Sequence, residues 1–331
     1  MPALLSTVRA QPTAVDTLRR AIASDRVHHA YLFDGPDGVG KERAAFGLAQ
    51  ALVCERRQPG DAAACGECRA CVRALPRAGE ARPVHPDVVV LERGLYDPAT
   101  IGRRSPETQD LSIDQVRTLV LARAAFPPHE GRAKIFILRR AEDLSQAAAN
   151  ALLKTLEEPG ARTHFVLLSS VADSLLPTIR SRTQRVRFAA LPDAVITELL
   201  AEQGVADAAS IALLAGGSMA TALHLSDPDA SAKRDEFVAR AIAAVTARDL
   251  ESGLALAEEA KKLGKDASMV HLEALAAAFA VQARAAAPNG DRAADVAVAR
   301  HALALAAVRQ LDANASAQLA LEAMFIKLRA V

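Results

Sequence analysis

Residues 30–53 read AYLFDGPDGVGKERAAFGLAQALV, in which a short apolar run precedes a glycine-rich loop and an alanine-rich stretch. The apolar run predicts a buried strand, and the stretch after the loop predicts a helix. A glycine loop that ends in lysine, between a strand and a helix, presents backbone N–H groups and an ammonium group to phosphates. The sequence therefore predicts a P-loop-type nucleotide site at Gly35, Gly38, Gly40 and Lys41.

Two positions conflict with a complete magnesium-dependent site. Glu42 follows the loop lysine, where a P-loop needs the hydroxyl of Ser or Thr as a Mg²⁺ ligand. The strand predicted at residues 134–138 ends in Arg139 and Arg140, where an ATPase needs acidic residues for the metal and the attacking water. Guanidinium groups neither bind Mg²⁺ nor accept a proton at neutral pH. The loop is therefore expected to lack its metal ligand and its catalytic acids.

All four cysteines fall between residues 54 and 71, in the pattern C-x10-C-x2-C-x2-C. Four thiolates this close can surround one tetrahedral Zn²⁺, whereas disulfides between such near neighbours would be strained. Four protein ligands leave no open coordination position, so we expect a structural zinc and not a catalytic one. The alternative is a group of unconnected free thiols. The predicted ligands are Cys54, Cys65, Cys68 and Cys71.

The composition limits the classes of protein and partner. The 331 residues carry a formal net charge of +1, so any contact with nucleic acid would need a local basic patch. Aromatic residues make up 3% and alanine is abundant, which favours helices over an all-β architecture. The chain has neither an export signal nor an uncharged stretch of membrane-spanning length. We therefore expect a soluble, cytoplasmic protein.

Apolar runs alternate with helix-compatible segments over the first half of the chain. Residues 88–91, 135–138 and 165–168 predict buried strands, and residues 145–158 predict a helix that ends before Pro159. Continuous apolar strands separated by helices predict a parallel sheet covered on both faces. The fold class expected from this pattern is α/β.

Beyond residue 188 the predicted strands stop and the pattern becomes helical. Apolar residues recur at steps of three and four toward the end of the chain, as in helices that bury one face. We expect three domains: a P-loop-type α/β domain over residues 1–189 with the cysteine module at 54–71, a small helical lid over 190–228, and an all-α domain over 229–331.

Residues 134–170 and 175–188 resemble the clamp-loader branch of the AAA+ ATPases, which serves bacterial DNA polymerase III. The run ANALLKTLEEP at residues 149–159 is especially specific for that family. The four cysteines also match a zinc insertion of the family, and LDANAS at residues 311–316 resembles its C-terminal collar motif, with Ser316 where a second Asn is usual. The resemblance thus extends along nearly the whole chain.

The resemblance implies a subunit of the DNA polymerase III holoenzyme that helps to load a ring-shaped sliding clamp onto primed DNA. The implied partners are the motor subunits and the delta subunit of a hetero-pentamer, with the all-α domain as a collar.

Motor subunits of this family keep a hydroxyl after the loop lysine, acids after the strand, and an arginine in a Gly-Ser-x-Arg segment of the lid. Here those positions hold Glu42, Arg139 with Arg140, and Ala220. The resemblance implies a non-motor subunit without ATPase activity of its own, and leaves open whether ATP or ADP binds.

Ser181-Arg182-Thr183 lies where the family carries a Ser-Arg-Cys motif. The resemblance implies that Arg182, with Ser181, reaches across a subunit boundary to the ATP of a neighbour as an arginine finger. From the residues alone, the crowd of Arg180, Arg182, Arg185 and Arg187 also fits a solvated basic face.

Two other functions stay open at this stage. In the first, the chain is an active ATPase motor of the same loader. Glu142 and Asp143, which follow the two arginines, would then have to supply the catalytic acids from an unusual position. The chain would otherwise be a zinc-stabilised DNA-binding module with a relic P-loop, although it lacks the interleaved aromatic residues on which bases stack. The basic residues available to such a module are Arg103, Arg104, Arg132, Lys134, Arg139 and Arg140.

Overall fold

The computed structural model describes residues 3–101, 110–247, 249–287, 292–312 and 315–331. The chain divides into two compact units, Met1–Leu223 and His224–Val331. Arg103 and Arg104, two of the candidate DNA contacts, lie outside the described residues, as do residues 313–314 of the collar-like motif.

The first unit is built on a five-stranded sheet in which every described pairing is parallel. The strands are β1 Ala30–Asp34, β2 Val88–Leu91, β3 Lys134–Leu138, β4 Thr163–Ser169 and β5 Gln184–Arg187, in the order β2-β3-β4-β1-β5. The first four match the predicted apolar strands. β5 was not predicted, because it is an edge strand in which only Val186 is buried.

Helices cover both faces of this sheet, as predicted. Successive residues of a strand point to opposite faces, so Phe33 packs in one core and Leu32 in the other. The core around Phe33 includes α1, α2 and residues of the lid, and the core around Leu32 includes α6. The helices are α1 Pro12–Ala23, α2 Lys41–Val53, α3 Arg69–Arg73, α4 Ile113–Val116, α5 Ala122–Ala124, α6 Gln146–Glu157, α7 Pro177–Arg180, α8 Asp193–Glu202, α9 Ala208–Leu214 and α10 Met219–Ser226.

Short helical turns complete the first unit. A π-helical turn at Arg117–Leu121 joins α4 to α5, so that one continuous helical segment follows the capping box of Ser112 and Gln115. The 3₁₀ turns are Leu4–Thr7, Pro98–Ile101, Ala141–Asp143 and Ala172–Ser174.

The second unit is all-α in its described part, which confirms the predicted class of its fold. Its helices are α11 Pro228–Ala247, α12 Leu250–Leu263, α13 Lys265–Ala286, α14 Arg292–Asp312 and α15 Ala317–Leu328. The core contains Phe279, Leu311 and Phe325. Gly253 lets α12 approach α15 closely, since a Cβ there would lie 2.9 Å from Cγ of Phe325. In the part of the chain that the structure describes, no helix has the length and apolar character to cross a membrane.

Three histidines meet where β1 and β4 begin. The rings of His28 and His29 stack with centroids 4.2 Å apart, and Nδ1 of His164 lies 3.1 Å from the carbonyl oxygen of His28. Burial lowers the pKa of His164, and the neighbouring histidines lower it further. Burial and the charge of His28 also lower the pKa of His29. Folding therefore opposes protonation of His29 and His164.

We expect the free energy of unfolding to fall as the pH drops below about 6.5, the ordinary pKa of histidine in the unfolded chain. A lowered pKa in the folded state means that the unfolded state binds more protons, so the stability present above that pH is lost on acidification. His29 and His164 each add a slope of at most about 1.4 kcal/mol per pH unit. Urea unfolding between pH 7.5 and 5.5 measures how the free energy of unfolding depends on pH, and His164→Gln should weaken that dependence. A pH-independent midpoint in the parent chain would contradict this expectation.

Candidate functional site: an altered nucleotide pocket and a cysteine cluster

The predicted P-loop connects β1 to α2, and its conformation requires glycine. Gly35, Gly38 and Gly40 have φ values of +153°, +77° and +102°, in the region that favours glycine. A Cβ at Gly35 would lie 2.2 Å from the carbonyl oxygen of Phe188, and one at Gly38 would lie 2.2 Å from the amide nitrogen of Ala220. The loop is thus held against β5 on one side and the lid on the other.

Lys41 begins α2 and is buried. Its Nζ donates to the carbonyl oxygen of Gly35, to that of Pro36 at 2.8 Å, and to Oδ1 of Asp37 at 3.2 Å. An ammonium group has three N–H donors, so the loop itself satisfies all of them. In this conformation the lysine binds its own loop, and a phosphate would have to compete with those acceptors.

The lid, formed by α8, α9 and the start of α10, contacts the loop directly. Oγ of Ser218 donates to the carbonyl oxygen of Asp37 at 2.7 Å, and the backbone of Ala220 lies against Gly38. The resemblance predicts a lid arginine at the position of Ala220 in motor subunits. The methyl group at this position leaves no cation there to meet a phosphate.

Arg139 follows β3 and connects two carboxylates across the pocket. It donates to Oε2 of Glu92 at 2.8 Å and to Oε1 of Glu42, and only 13% of its side chain is exposed. Burial lowers the pKa of Arg139, but the two carboxylates outweigh burial and raise it. The two positions predicted to have lost metal-binding chemistry therefore contact each other. The resemblance predicts metal-binding groups at these positions in a motor subunit, and here they include a guanidinium.

The two acids considered for an active motor have other partners. Oδ2 of Asp143 accepts from Nε of Arg140 at 3.0 Å, and Oε1 of Glu142 accepts from the hydroxyl of Ser170 at 2.9 Å. Arg140 itself has a φ of +48°, which turns the backbone sharply after β3. Burial raises the pKa of Asp143.

A cavity of about 940 Å³ adjoins the loop. It combines the loop and Arg43 with Val8 of the N-terminal segment, Glu142, and apolar residues of the lid such as Leu199 and Met219. Its volume lies in the range of small-molecule sites. Of the predicted loop residues, Gly38, Gly40 and Lys41 border this space of nucleotide size, and Gly35 is not among its lining residues. The charged groups of the cavity are paired differently from those of a magnesium site.

Arg182 lies in the turn between α7 and β5, and it is not among the described residues that line this cavity. Nε donates to Oε1 of Glu157 at 2.6 Å, and Nη1 donates to the carbonyl oxygen of Thr178 at 2.9 Å and to Oγ of Ser181 at 3.3 Å. About a third of the side chain is exposed, at 32%. The guanidinium is therefore held at the surface by these acceptors and does not line the cavity beside the loop.

Two of the neighbouring arginines, Arg180 and Arg185, are paired with acids as well. Arg180 binds Oδ1 of Asp173 at 2.8 Å, and Arg185 binds Oδ2 of Asp34 at 2.6 Å. The segment is therefore not a uniformly basic face, because carboxylates from three different elements meet its guanidinium groups.

The cysteine cluster assembles as the spacing predicts. The four Sγ atoms lie within 4.8 Å of one another, and the closest measured pair, Cys54 and Cys65, is 3.6 Å apart. Tetrahedral Zn–S bonds of 2.3 Å place sulfur atoms about 3.8 Å apart, so the spacing fits a metal ion. All four cysteines are free of disulfides.

Backbone donors point at three of the four sulfur atoms, whereas burial raises the pKa of the Cys71 thiol. Backbone N–H groups of Cys65, Cys68 and Cys71 donate to the sulfur atoms of Cys54, Cys65 and Cys68 at 3.5, 3.3 and 3.4 Å. Burial raises the pKa of the Cys65 thiol, but N–H groups of Glu67 and Cys68 outweigh burial and lower it to about 7. Donors aimed at sulfur stabilise the charged form that a metal needs.

Most basic residues of the DNA-binding alternative have structural partners. Lys134 is buried, and its Nζ donates to the carbonyl oxygens of Arg123, Phe126 and Pro127 at 2.8, 3.0 and 3.1 Å. Arg132 donates to the carbonyl oxygens of Arg57 and Glu55 at 2.8 and 3.2 Å. These cations hold the fold together and do not form a free patch for phosphates.

A parallel sheet, a glycine loop between β1 and α2, and a helical lid on that loop define an AAA+ P-loop fold. A sequence model of the family described as DNA polymerase III, delta subunit, matches residues 10–192, more than half of the chain. The chain belongs to this family, which confirms the resemblance found in the sequence.

Individual relatives agree with this assignment. The DNA polymerase III subunit delta' of Pseudomonas aeruginosa is 38% identical over 217 residues, which cover 63% of this chain and 59% of that protein. The subunit gamma/tau of Mycobacterium tuberculosis is 35% identical over 200 residues, 60% of this chain and 31% of that protein. The matches thus span about a third to three-fifths of these relatives. A solved gamma subunit-related protein from Thermotoga maritima, at a TM-score of 0.51 and 18% identity, covers 95% of this chain and 98% of its own, and shows a shared fold.

Sequence reasoning missed three residues that contact the predicted ones. Glu92 and Glu157 bind Arg139 and Arg182, and Ser218 binds the loop at Asp37. Ser218 lies in the Gly-Ser-x-Arg-like segment, so its place beside the loop had a signal in the sequence. No sequence signal pointed to Glu92, because 47 residues separate it from Arg139.

Proposed function

We propose that this chain is a non-motor subunit of a bacterial DNA polymerase III clamp loader, which helps to load the sliding clamp onto primed DNA in the cytoplasm. The observation that carries the non-motor role is the contact of Arg139 with Glu42 and Glu92. A cation fixed between these carboxylates competes with Mg²⁺ for the same ligands. ATP turnover by the chain alone is therefore not expected, and any ATP or ADP would bind without productive hydrolysis.

In this proposal Arg182, supported by Ser181, acts in trans on the ATP of an adjacent motor subunit. Its oriented, partly exposed guanidinium and its position away from the chain's own cavity support that role. Arginine fingers stabilise the charge that develops on the transferred phosphoryl group. Motor subunits, the delta subunit, the clamp and primed DNA are the proposed partners, and the helical unit is the proposed collar.

We further propose that Cys54, Cys65, Cys68 and Cys71 hold a structural zinc ion. The tetrahedral sulfur spacing supports this assignment. The division of the chain at residues 189 and 228 into sheet domain, lid and collar also remains part of the proposal.

Arg182→Ala is expected to leave folding and assembly intact and to lower clamp- and DNA-stimulated ATP hydrolysis of the reconstituted loader about tenfold or more. Arg180→Ala is the matched control, because Arg180 is a nearby arginine that is also paired with a carboxylate. Its hydrolysis rate should stay near that of the parent complex. Equal rates for the parent complex and the Arg182→Ala complex would refute the trans role.

A further inference from the structure

Glu157 is the last residue of α6 and contacts Arg182, which lies beyond both β4 and α7 in the chain. Its Oε1 accepts from Nε of Arg182 at 2.6 Å and also contacts Nη2. The carboxylate therefore meets the Nε edge of the guanidinium. Both side chains remain partly exposed, 46% for Glu157 and 32% for Arg182.

The N–H groups of Arg182 are almost fully assigned. A guanidinium has five N–H donors in a fixed plane. Nε and one N–H of Nη2 face Glu157, while Nη1 donates to Thr178 and Ser181. Among the described residues this leaves the second N–H of Nη2 for a further acceptor. Acceptors at two different edges of the guanidinium fix both the position and the rotation of the group.

Such an arrangement matters more for orientation than for stability. Exposed ion pairs contribute little to folding, because solvent screens them and their side chains lose freedom. A reacting group gains much more from being held in position, since a small misplacement lowers the rate substantially. The carboxylate leaves one N–H of the guanidinium able to meet an anion from outside the chain.

We propose that Glu157 is a positioning residue, which holds Arg182 in the orientation that meets the phosphates of a nucleotide bound by an adjoining subunit. This inference rests on the proposed trans role of Arg182. Glu157 does not touch the nucleotide. It acts through the Nε edge of the arginine, while Thr178 and Ser181 fix Nη1.

An opposite effect of the same carboxylate is physically conceivable. A negative charge beside the finger could neutralise it and repel phosphate, so that removal of Glu157 would raise the rate of hydrolysis. The direct hydrogen bond favours positioning, because an oriented charge-assisted bond is strong at this distance. The sign of the change in kcat therefore separates the two effects.

The test uses the reconstituted loader, with kcat and KM for ATP measured in the presence of clamp and primed DNA. Glu157→Ala should lower kcat about threefold to fivefold with KM unchanged. Glu157→Gln should lose less, because its amide oxygen still accepts from Nε. The matched control is Glu158→Ala, the adjacent exposed acid, which should have no effect. Complex formation and the unfolding midpoint are measured for each variant.

A double-mutant cycle completes the test. In the Arg182→Ala background, Glu157→Ala should cause no further loss, because its only route to the rate is through the arginine. The positioning role alone would be overturned if the losses of the two variants were additive. It would also be overturned if Glu157→Ala left kcat unchanged or raised it while Arg182→Ala lowered it. Full activity of Arg182→Ala would overturn the finger and this inference with it.

Discussion

Replacing Cys71 by serine is expected to abolish metal binding and to lower the Tm of the first unit by roughly 10 °C or more. Cys71 is fully buried, and its sulfur lies among those of the other three cysteines. Structural zinc supplies folding free energy directly, since the unfolded chain has no preformed site. The segment that contains α3 has little apolar periodicity of its own, so we expect the cross-link to hold it in place.

The loss of stability in Cys71→Ser should extend beyond the cysteine module. Gln50 of α2 is completely buried, and it donates to the carbonyl oxygen of Cys71 at 3.1 Å while accepting from the amide of Leu4 at 3.0 Å. Disorder around Cys71 would remove one of these bonds and leave a buried amide unsatisfied, which costs about 1–3 kcal/mol. Destabilisation should therefore reach the helix that follows the glycine loop.

Zinc content by mass spectrometry and thermal unfolding by calorimetry measure this effect. The matched control is Val72→Ser, because Val72 lies next to Cys71 in α3 but is 52% exposed. That variant should keep one zinc ion per chain and nearly the parent Tm. Parent-like stability of Cys71→Ser, or a parent chain that is free of zinc after purification without chelators, would contradict the assignment.

Gly38→Ala is expected to destabilise the first unit by about 3 kcal/mol and to separate the lid from the loop. The new Cβ would lie 2.2 Å from the amide nitrogen of Ala220 and 2.9 Å from the carbonyl carbon of Met219. Both are backbone atoms, which cannot rotate away as a side chain can. The start of α10 must therefore move, and the bond from Ser218 to Asp37 should break with it.

Gly40→Ala separates steric overlap from backbone strain. Gly40 also has a positive φ, but its nearest neighbour would be a methyl group of Val8 at 3.3 Å, which can shift. We expect a loss of only about 1 kcal/mol there. Urea unfolding gives the two free energies, and hydrogen exchange of residues 217–222 should accelerate only in Gly38→Ala. Equal destabilisation by the two variants would show that the lid contact contributes nothing.

The sequence identified the parts of the fold whose signals are local. β2, β3 and β4 contain continuous apolar runs, because the helices that cover the parallel sheet bury both faces of these strands, including those of β2 at the edge. The spacing also predicted the cluster of four sulfur atoms, since the cysteines lie within one short segment of the chain. β5 was not predicted, because three of its four residues are polar or charged and exposed, so it has no apolar run.

The pairing of charges could not be predicted from the sequence. Glu42 and Arg139 each appeared as a lost catalytic group, yet they contact each other across 97 residues of chain. Glu157 belongs to a run that was recognised for its resemblance, but its contact with Arg182 depends on how α6 and α7 pack. Such contacts follow from the topology of the sheet, and no spacing rule encodes them.

The link between Glu42, Arg139 and Glu92 also constrains how this chain could change during evolution. Glu42→Thr alone would leave the arginine beside the loop, and Arg139→Asp alone would bring three carboxylates together without the guanidinium that now pairs two of them. Each single reversal is therefore expected to be worse than the present arrangement, and only their combination approaches a metal site. Under the proposed non-motor role, strong epistasis between these two positions would block a return to hydrolysis by single mutations.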